Sequence, residues 1–333
     1  MREFNYSELC FAKWDSETLS YVAQIHEYKG RQELFIRQKP EELKRLVEIA
    51  KIQSTEGSNK IEGIVTTRTR IKQLLTDKTT PRNRDEKEIV GYKDVLNTIH
   101  DSYDYIPLTP NYILQLHKKL LSHTNLSYGG HFKNVQNYIA ETHFDGNTSV
   151  RFTPVSPFET EAYIAAICNN YKQAIAKQSV DPLILIPIVI RDFLCVHPFN
   201  DGNGRMSRLL TLLMMYQNGY LVGKYISLEK KIEVSKDTYY AALQDSSINW
   251  HEGKDDSTSF VKYMLGIIIA AYREFEERID IIGVKSTAYD VVKMAVDLTI
   301  GKFTKNDMIE KCPSIGKSSV EQSLKKLSMD GYI

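Results

Sequence analysis

The sequence has no cysteine pair at metal-binding spacing, no long apolar run and no excess of either charge. Its four cysteines, Cys10, Cys168, Cys195 and Cys312, are scattered without a CxxC. That excludes the common zinc patterns and fits reduced, intracellular thiols. The longest strongly apolar stretch, Leu183 to Ile190, is interrupted by Pro187 and falls far short of the roughly 20 residues a membrane span needs. Met1-Arg2-Glu3-Phe4-Asn5 carries no apolar signal core, so the expected compartment is the cytoplasm, with no membrane partner. Lys and Arg total 43 against 42 Asp and Glu, a formal charge of +1, so bulk attraction to nucleic acid is absent and any such affinity must be local. No internal repeat is evident.

What is present is the ordinary balance of a globular protein: 333 residues, 42% hydrophobic and 26% charged, enough for two or three domains with real cores. Residues 1–95 read as an N-terminal helical region. Pro40-Glu41-Glu42 opens a helix, Leu43, Leu46, Val47, Ile49 and Ala50 give it one apolar stripe, and Gly63 stops it. The charged stretch 79–86 reads as an exposed loop. Residues 96–250 form a second helical block, interrupted at 135–153 by a β-hairpin with its tip near Asp145-Gly146. Helices follow from Pro157 through Ala176, from Asp181-Pro182, and over 204–218; Pro187 should kink the second of these or delay its start. Residues 251–284 read as a connecting helix. Residues 285–333 carry three short helices in a helix-turn-helix rhythm.

The chemistry sits in His197-Pro198-Phe199-Asn200-Asp201-Gly202-Asn203-Gly204-Arg205-Met206-Ser207-Arg208. Gly202 and Gly204 bracket Asn203, so three residues tolerate positive φ and leave backbone N–H groups uncovered at the positive end of a helix. No GK[ST] follows, so this is not a P-loop. Arg205 and Arg208, three apart, share a face in the first turn, where cations oppose the helix dipole and a bound anion would reverse that cost. Asp201 is placed to hold Mg²⁺ through one oxygen while phosphate oxygens and waters complete the shell. His197 can accept a proton from an attacking hydroxyl. The side chains of Met206, Leu209, Leu210, Leu213 and Met214 read as core, and Cys195 as a small buried residue.

This string resembles the signature of the Fic family, HxFx(D/E)GNGRxxR, at every specified position, and the resemblance extends over roughly residues 40–250. It implies an all-α fold, a helical bundle with a β-hairpin flap, and transfer of AMP from ATP to a hydroxyl side chain of a target protein with release of pyrophosphate. By resemblance, His197 is the general base and Asp201 the Mg²⁺ ligand. Gly202, Asn203 and Gly204 form the anion hole, Arg205 and Arg208 bind the phosphate chain, and the ATP-binding stretch takes in Met206 and Ser207. The hairpin at 135–153 resembles the family's flap, on which an extended segment of the target pairs by strand addition. Lys133 stands where many relatives carry Arg. Tyr240, in Tyr239-Tyr240-Ala241-Ala242-Leu243, is the choice for the adenine contact, against plain packing of two tyrosines.

Ser58-Asn59-Lys60-Ile61-Glu62-Gly63 resembles the family's inhibitory motif, (S/T)xxxE(G/N). By that resemblance Glu62 pairs with Arg208, occupies the arginine that the γ-phosphate needs, and leaves the enzyme self-inhibited; in some relatives the same glutamate serves to remove AMP. The C-terminal segment resembles a winged helix-turn-helix, with the sequence ending where the wing's first strand should begin. Lys302, Lys305, Lys311, Lys317, Lys325 and Lys326 give it local positive charge. The alternative function is therefore DNA-binding regulation, or a toxin–antitoxin-type role, acting through that module. A homodimer is allowed by the resemblance, and the target protein is not encoded readably.

Overall fold

The computed structural model describes residues 2–76, 78–142, 148–282, 287–297, 299, 302–312 and 315–333. Helices α1 (Ser16–Gln38), α2 (Pro40–Ile61), α3 (Arg68–Leu75), α4 (Arg84–Ser102) and α5 (Pro110–Leu120) precede the hairpin β1 (Ile139–Thr142) and β2 (Thr148–Phe152). After it come α6 (Pro157–Lys177), α7 (Pro182–Val196), α8 (Asn203–Gln217), α9 (Val222–Tyr225), α10 (Leu228–Val234), α11 (Lys236–Asp245) and α12 (Thr258–Ile282). The C-terminal module holds α13 (Ala288–Asp297), α14 (Lys305–Lys311) and α15 (Lys317–Met329).

The bundle is built around α7 and α8. Every residue of α7 from Leu183 to Val196 is buried, and α8 is buried from Arg205 to Tyr216. Neither helix has a solvent face, so each must be surrounded, and α4, α6 and α12 pack against one or both. Asp181 caps α7 by accepting from the Leu183 N–H, and the helix begins at Pro182 without delay, with Pro187 inside it. Pro187 lacks only the N–H that would have bonded the Leu183 carbonyl.

α2 lies against α4 and α10 and ends where Gly63 takes a left-handed φ of 78°. The stretch 79–86 is loop as far as Asn83, exposed at Thr80, Arg82 and Asn83 as expected, and departs from that reading only at its end. Asn83 caps α4 by accepting from the Glu86 N–H, and Arg84 is already helical. Glu86 is 4% exposed and lies 2.6 Å from Arg70 Nη2, so the pairing with α3 draws this charged segment inward. α4 also runs unbroken across residue 95, and one apolar core joins residues from Phe4 to Ile279.

β1 and β2 pair antiparallel with Ala140 opposite Val150 and a register shift next to Ile139. The expected tip at Asp145-Gly146 lies outside the described residues. The C-terminal module has its own small core of Val291, Val292, Ala295, Val296, Met308, Cys312, Val320, Leu324 and Leu327. Thr304 and Asp307 form a reciprocal capping box at α14. Among the described residues no strand follows α15. No described helix is long and apolar enough to cross a membrane.

Candidate active site

The string His197–Arg208 runs from the end of α7 through a tight loop into α8. His197 is the C-cap of α7 with φ 51°, a left-handed conformation that side chains other than glycine and asparagine seldom take. Its Nδ1 lies 3.3 Å from the Leu194 carbonyl. A carbonyl can only accept, so Nδ1 carries the proton and Nε2 keeps a lone pair. Burial pushes the imidazole down to about 4, against the opposing pull of the Leu194 carbonyl, so the ring is neutral near pH 7.

Gly202 alone in the loop has positive φ, 84°, and serves as N-cap of α8; Asn203 and Gly204 are its first helical residues. The three-residue positive-φ loop expected from the sequence is thus one left-handed glycine followed by a helix start. The first backbone bond of the turn runs from the Met206 N–H to the Gly202 carbonyl. The N–H groups of residues 203–205 have no acceptor inside the helix and form the anion-facing end. Asn203 faces inward: its Oδ1 accepts from the Phe199 N–H and its Nδ2 donates to the Phe199 carbonyl, 2.9 and 2.7 Å away. Met206 and Ser207 are fully buried, Ser207 donating to the Gly204 carbonyl. These three side chains brace the loop, and none of them lines the cavity that holds His197 and Arg208.

The two arginines diverge. Arg208 is 4% exposed; its Nε donates to Ser58 Oγ at 2.8 Å, and its Nη2 to the Ser58 carbonyl at 2.9 Å and to Glu62 Oε1 at 2.8 Å. Burial alone would raise the Glu62 carboxyl, but the charge and hydrogen bond of Arg208 outweigh it and hold Glu62 below its usual value. The end of α2 is tied down nearby, Lys236 Nζ donating to the Ile61 carbonyl at 2.6 Å and Lys60 pairing with Glu233 at 2.6 Å. Arg205 turns the other way. Its Nη1 lies 2.7 Å from Glu88 Oε2, both side chains being within 3% of full burial, and its Nη2 lies 3.4 Å from Asp201 Oδ1. Arg84 bridges Glu88 and Asp201 at 2.6 and 3.1 Å.

A cavity of about 660 Å³ joins His197, Gly204, Arg208 and Glu62 to Tyr239, Tyr240 and Leu243 of α11, to Leu194 and Cys195, and to Tyr138, Ile139 and Ala140 at the flap. Tyr240 lies on its wall, whereas Tyr239 is 3% exposed and also packs on Phe260 and Tyr263. Burial pushes the Cys195 thiol up to about 12, so it is inert. Among the described residues no three His, Cys, Asp or Glu side chains converge as a metal cage. Asp201, with 32% of its side chain exposed, offers a single carboxylate, a donor set that suits Mg²⁺ shared with phosphate oxygens.

Four residues around the loop carry no local sequence signal: Glu88, His117, Asn137 and Arg84. His117 stacks on Phe199 with ring centroids 3.7 Å apart. Its Nδ1 accepts from the Gly130 N–H, so Nε2 donates to the Asp201 carbonyl at 3.0 Å. Long-range partners of this kind, tens of residues apart in the chain, appear only when the fold brings them together. In the C-terminal module, Lys326 lies over the Tyr289 ring, Lys305 pairs with Glu321 and Lys311 donates to Thr299, so part of its positive charge is used internally.

A buried helix whose N-terminus faces a cavity, preceded by a neutral histidine, is an arrangement suited to receiving an anionic group. Residues 107–215 match the family model described as Fic/DOC family, so the chain carries a Fic/DOC-family segment at the site. Among curated relatives, it is 26% identical over 184 residues to the protein adenylyltransferase fic-1 of Caenorhabditis elegans, covering 54% of this chain and 32% of that one. It is 24% identical over 188 residues to the protein adenylyltransferase Fic of Nematostella vectensis, covering 54% and 40%. The chain thus spans well under half the length of these relatives. Among solved structures, a Fic family protein from Desulfovibrio desulfuricans shares the fold with TM-score 0.66 at 19% identity, over 96% of this chain and 91% of that one. A Fic domain-containing signaling protein from Bacteroides thetaiotaomicron gives 0.64 at 22% identity, over 82% and 100%.

Proposed function

We propose that this protein is an adenylyltransferase that moves AMP from ATP to a Ser, Thr or Tyr hydroxyl of a target protein, and that Glu62 holds it inactive at rest. The observation that carries the reading is the single cavity shared by His197, the N-terminus of α8 and Arg208. The hydroxyl oxygen attacks the α-phosphorus while its proton passes to His197 Nε2. The bond from the α-phosphorus to the oxygen bridging it to the β-phosphate then breaks, and pyrophosphate leaves. The N–H groups at the start of α8 face the phosphate oxygens, and such fixed dipoles stabilise charge that develops in the transition state. Asp201 is the residue that would hold Mg²⁺, which would supply charge neutralisation on the phosphates. Tyr138, Ile139 and Ala140, lining the same cavity, support docking of an extended target segment on the flap. The relatives' names point the same way.

The same geometry supports the reading of self-inhibition. The Arg208 guanidinium is engaged through Nε and Nη2 by Ser58 and Glu62, so a γ-phosphate must compete with a carboxylate already in place. The test uses purified wild type, Glu62→Gly and Glu62→Gly/His197→Ala with Mg²⁺ and ATP labelled at the α-phosphate. Label should appear strongly with Glu62→Gly alone and vanish when His197→Ala is added. Equal label in wild type and Glu62→Gly sinks the brake, and label surviving His197→Ala sinks the base.

A further inference from the structure

Four successive carbonyls of the His197 loop are held from outside it. Lys133 Nζ donates to the Val196 carbonyl at 2.9 Å and the Lys133 N–H to that of Pro198 at 2.8 Å. Asn137 Nδ2 donates to the carbonyls of His197 and Phe199 at 3.2 and 3.0 Å. The two holders are themselves joined, Lys133 Nζ to Asn137 Oδ1 at 3.0 Å. This is an unusual use of a lysine, which is 3% exposed, and burial lowers its amine to about 8. The loop has reason to need it. His197 sits in the left-handed region and Pro198 has no N–H to give, so the segment cannot hold its own shape by regular backbone pairing.

Asn137 stands two residues before β1, at the root of the flap. Its neighbour Gln136 straps both strands of that root, Nε2 donating to the carbonyls of Asn137 and Pro154, each at 3.0 Å. A target segment paired on the hairpin takes its register from this root, while the base takes its position from the loop. We infer that Asn137 and Lys133 are positioning residues that lock the two together and so fix where His197 Nε2 stands relative to a hydroxyl presented on the flap. The inference rests on the transferase reading above. On that reading ATP binding rests on the start of α8, which is held by Gly202 and by both bonds between Asn203 and Phe199, of which Asn137 shares only the carbonyl. Misplacing a base by about 1 Å lowers turnover by up to about 100-fold without touching nucleotide affinity.

The experiment introduces Asn137→Ala, Lys133→Met and Lys133→Arg into the Glu62→Gly protein. Turnover, ATP affinity and melting temperature are measured on each. Asn137→Ala and Lys133→Met should lower kcat by about 10- to 100-fold with the ATP Kd within about threefold of the parent, and Lys133→Arg should restore most of the rate. Unchanged kcat overturns the inference. So does a joint loss of melting temperature, ATP affinity and rate, which would mark a merely structural role. A second readout needs no activity: nuclear magnetic resonance of ¹⁵N-histidine protein should show the His197 ring shifted by Asn137→Ala, with distant His100 in place. An unmoved His197 ring overturns the inference. If Glu62→Gly labels nothing, the transferase reading fails, and the ring spectrum still decides this one.

Discussion

The Glu62 carboxylate lies so close over Gly204 that a β-carbon at that position would stand well inside contact distance of Oε1. Glycine at 204 leaves room for that carboxylate and is not needed for the conformation, since the helical backbone at Gly204 would accept alanine. Alanine in a helix is otherwise favourable by roughly 0.5–1 kcal/mol over glycine. The next neighbour of the added carbon is Arg208 Nη1 at 3.3 Å, a contact that asks for only a small shift. Gly204→Ala alone should therefore destabilise the protein by about 1–3 kcal/mol through displaced Glu62. In the Glu62→Gly background the same change should be neutral or stabilising. Urea unfolding of the four proteins gives the coupling directly. Additive effects would mean that Glu62 moves aside freely and is not held over the cradle.

His100 and His117 are buried and His197 is half-buried, all three neutral, and acid should charge them. Burial pushes His100 down to about 3, with Lys51 and Lys224 adding to it, and pushes His117 and His197 down to about 4. Each folded value lies below the unfolded one near 6.5, so the unfolded chain takes its proton first as pH falls. Stability is then fully present above about 6.5 and declines below it, by roughly 1.4 kcal/mol per pH unit for each histidine. Urea midpoints should fall between pH 6.5 and 5, and His100→Gln should remove about one proton from that slope. The same burial gives transfer by Glu62→Gly no histidine limb near 6.5, so its rate should be flat from pH 6 to 8. An inflection near 6.5 would place a solvated histidine at the reaction instead.

The sequence makes the local parts of this molecule readable. The α8 start, the Asp181 and Thr304 caps, the Gly63 stop and the hairpin all depend on residues within a few positions of one another, where spacing carries the information. What it hides is long-range. Nothing local tells that Glu86 turns inward to Arg70, because stretch 79–86 has the composition of a loop until α3 supplies the partner. Nor does the spacing of Arg205 and Arg208 reveal that one binds α2 and the other α4; three residues apart on one helix, their guanidinium groups reach opposite walls. Asn203 makes the same point in reverse. It sits in the middle of the anion-facing motif, yet its side chain is spent on the Phe199 backbone, a role that becomes legible only with the loop folded.

Glu88 is the residue whose loss should cost the most. Its carboxylate and the Arg205 guanidinium are both within 3% of full burial, and Arg205 Nε has no hydrogen-bond partner. Removing one member of such a pair strands the other charge away from water, at about 3–5 kcal/mol. Glu88→Ala should therefore lower the urea midpoint sharply, and Arg205 should swing towards Asp201, its other acidic neighbour. Glu88→Gln keeps shape and one acceptor and should cost less. The discriminating protein is Glu88→Leu/Arg205→Met, in which neither charge remains. It should recover most of the stability lost in Glu88→Ala, because the penalty comes from the unpaired charge and not from the attraction itself. Loss of ATP binding in that double variant, despite recovered stability, would assign Arg205 to the nucleotide site. Retained binding would leave the phosphates to Arg208 and the backbone at the start of α8.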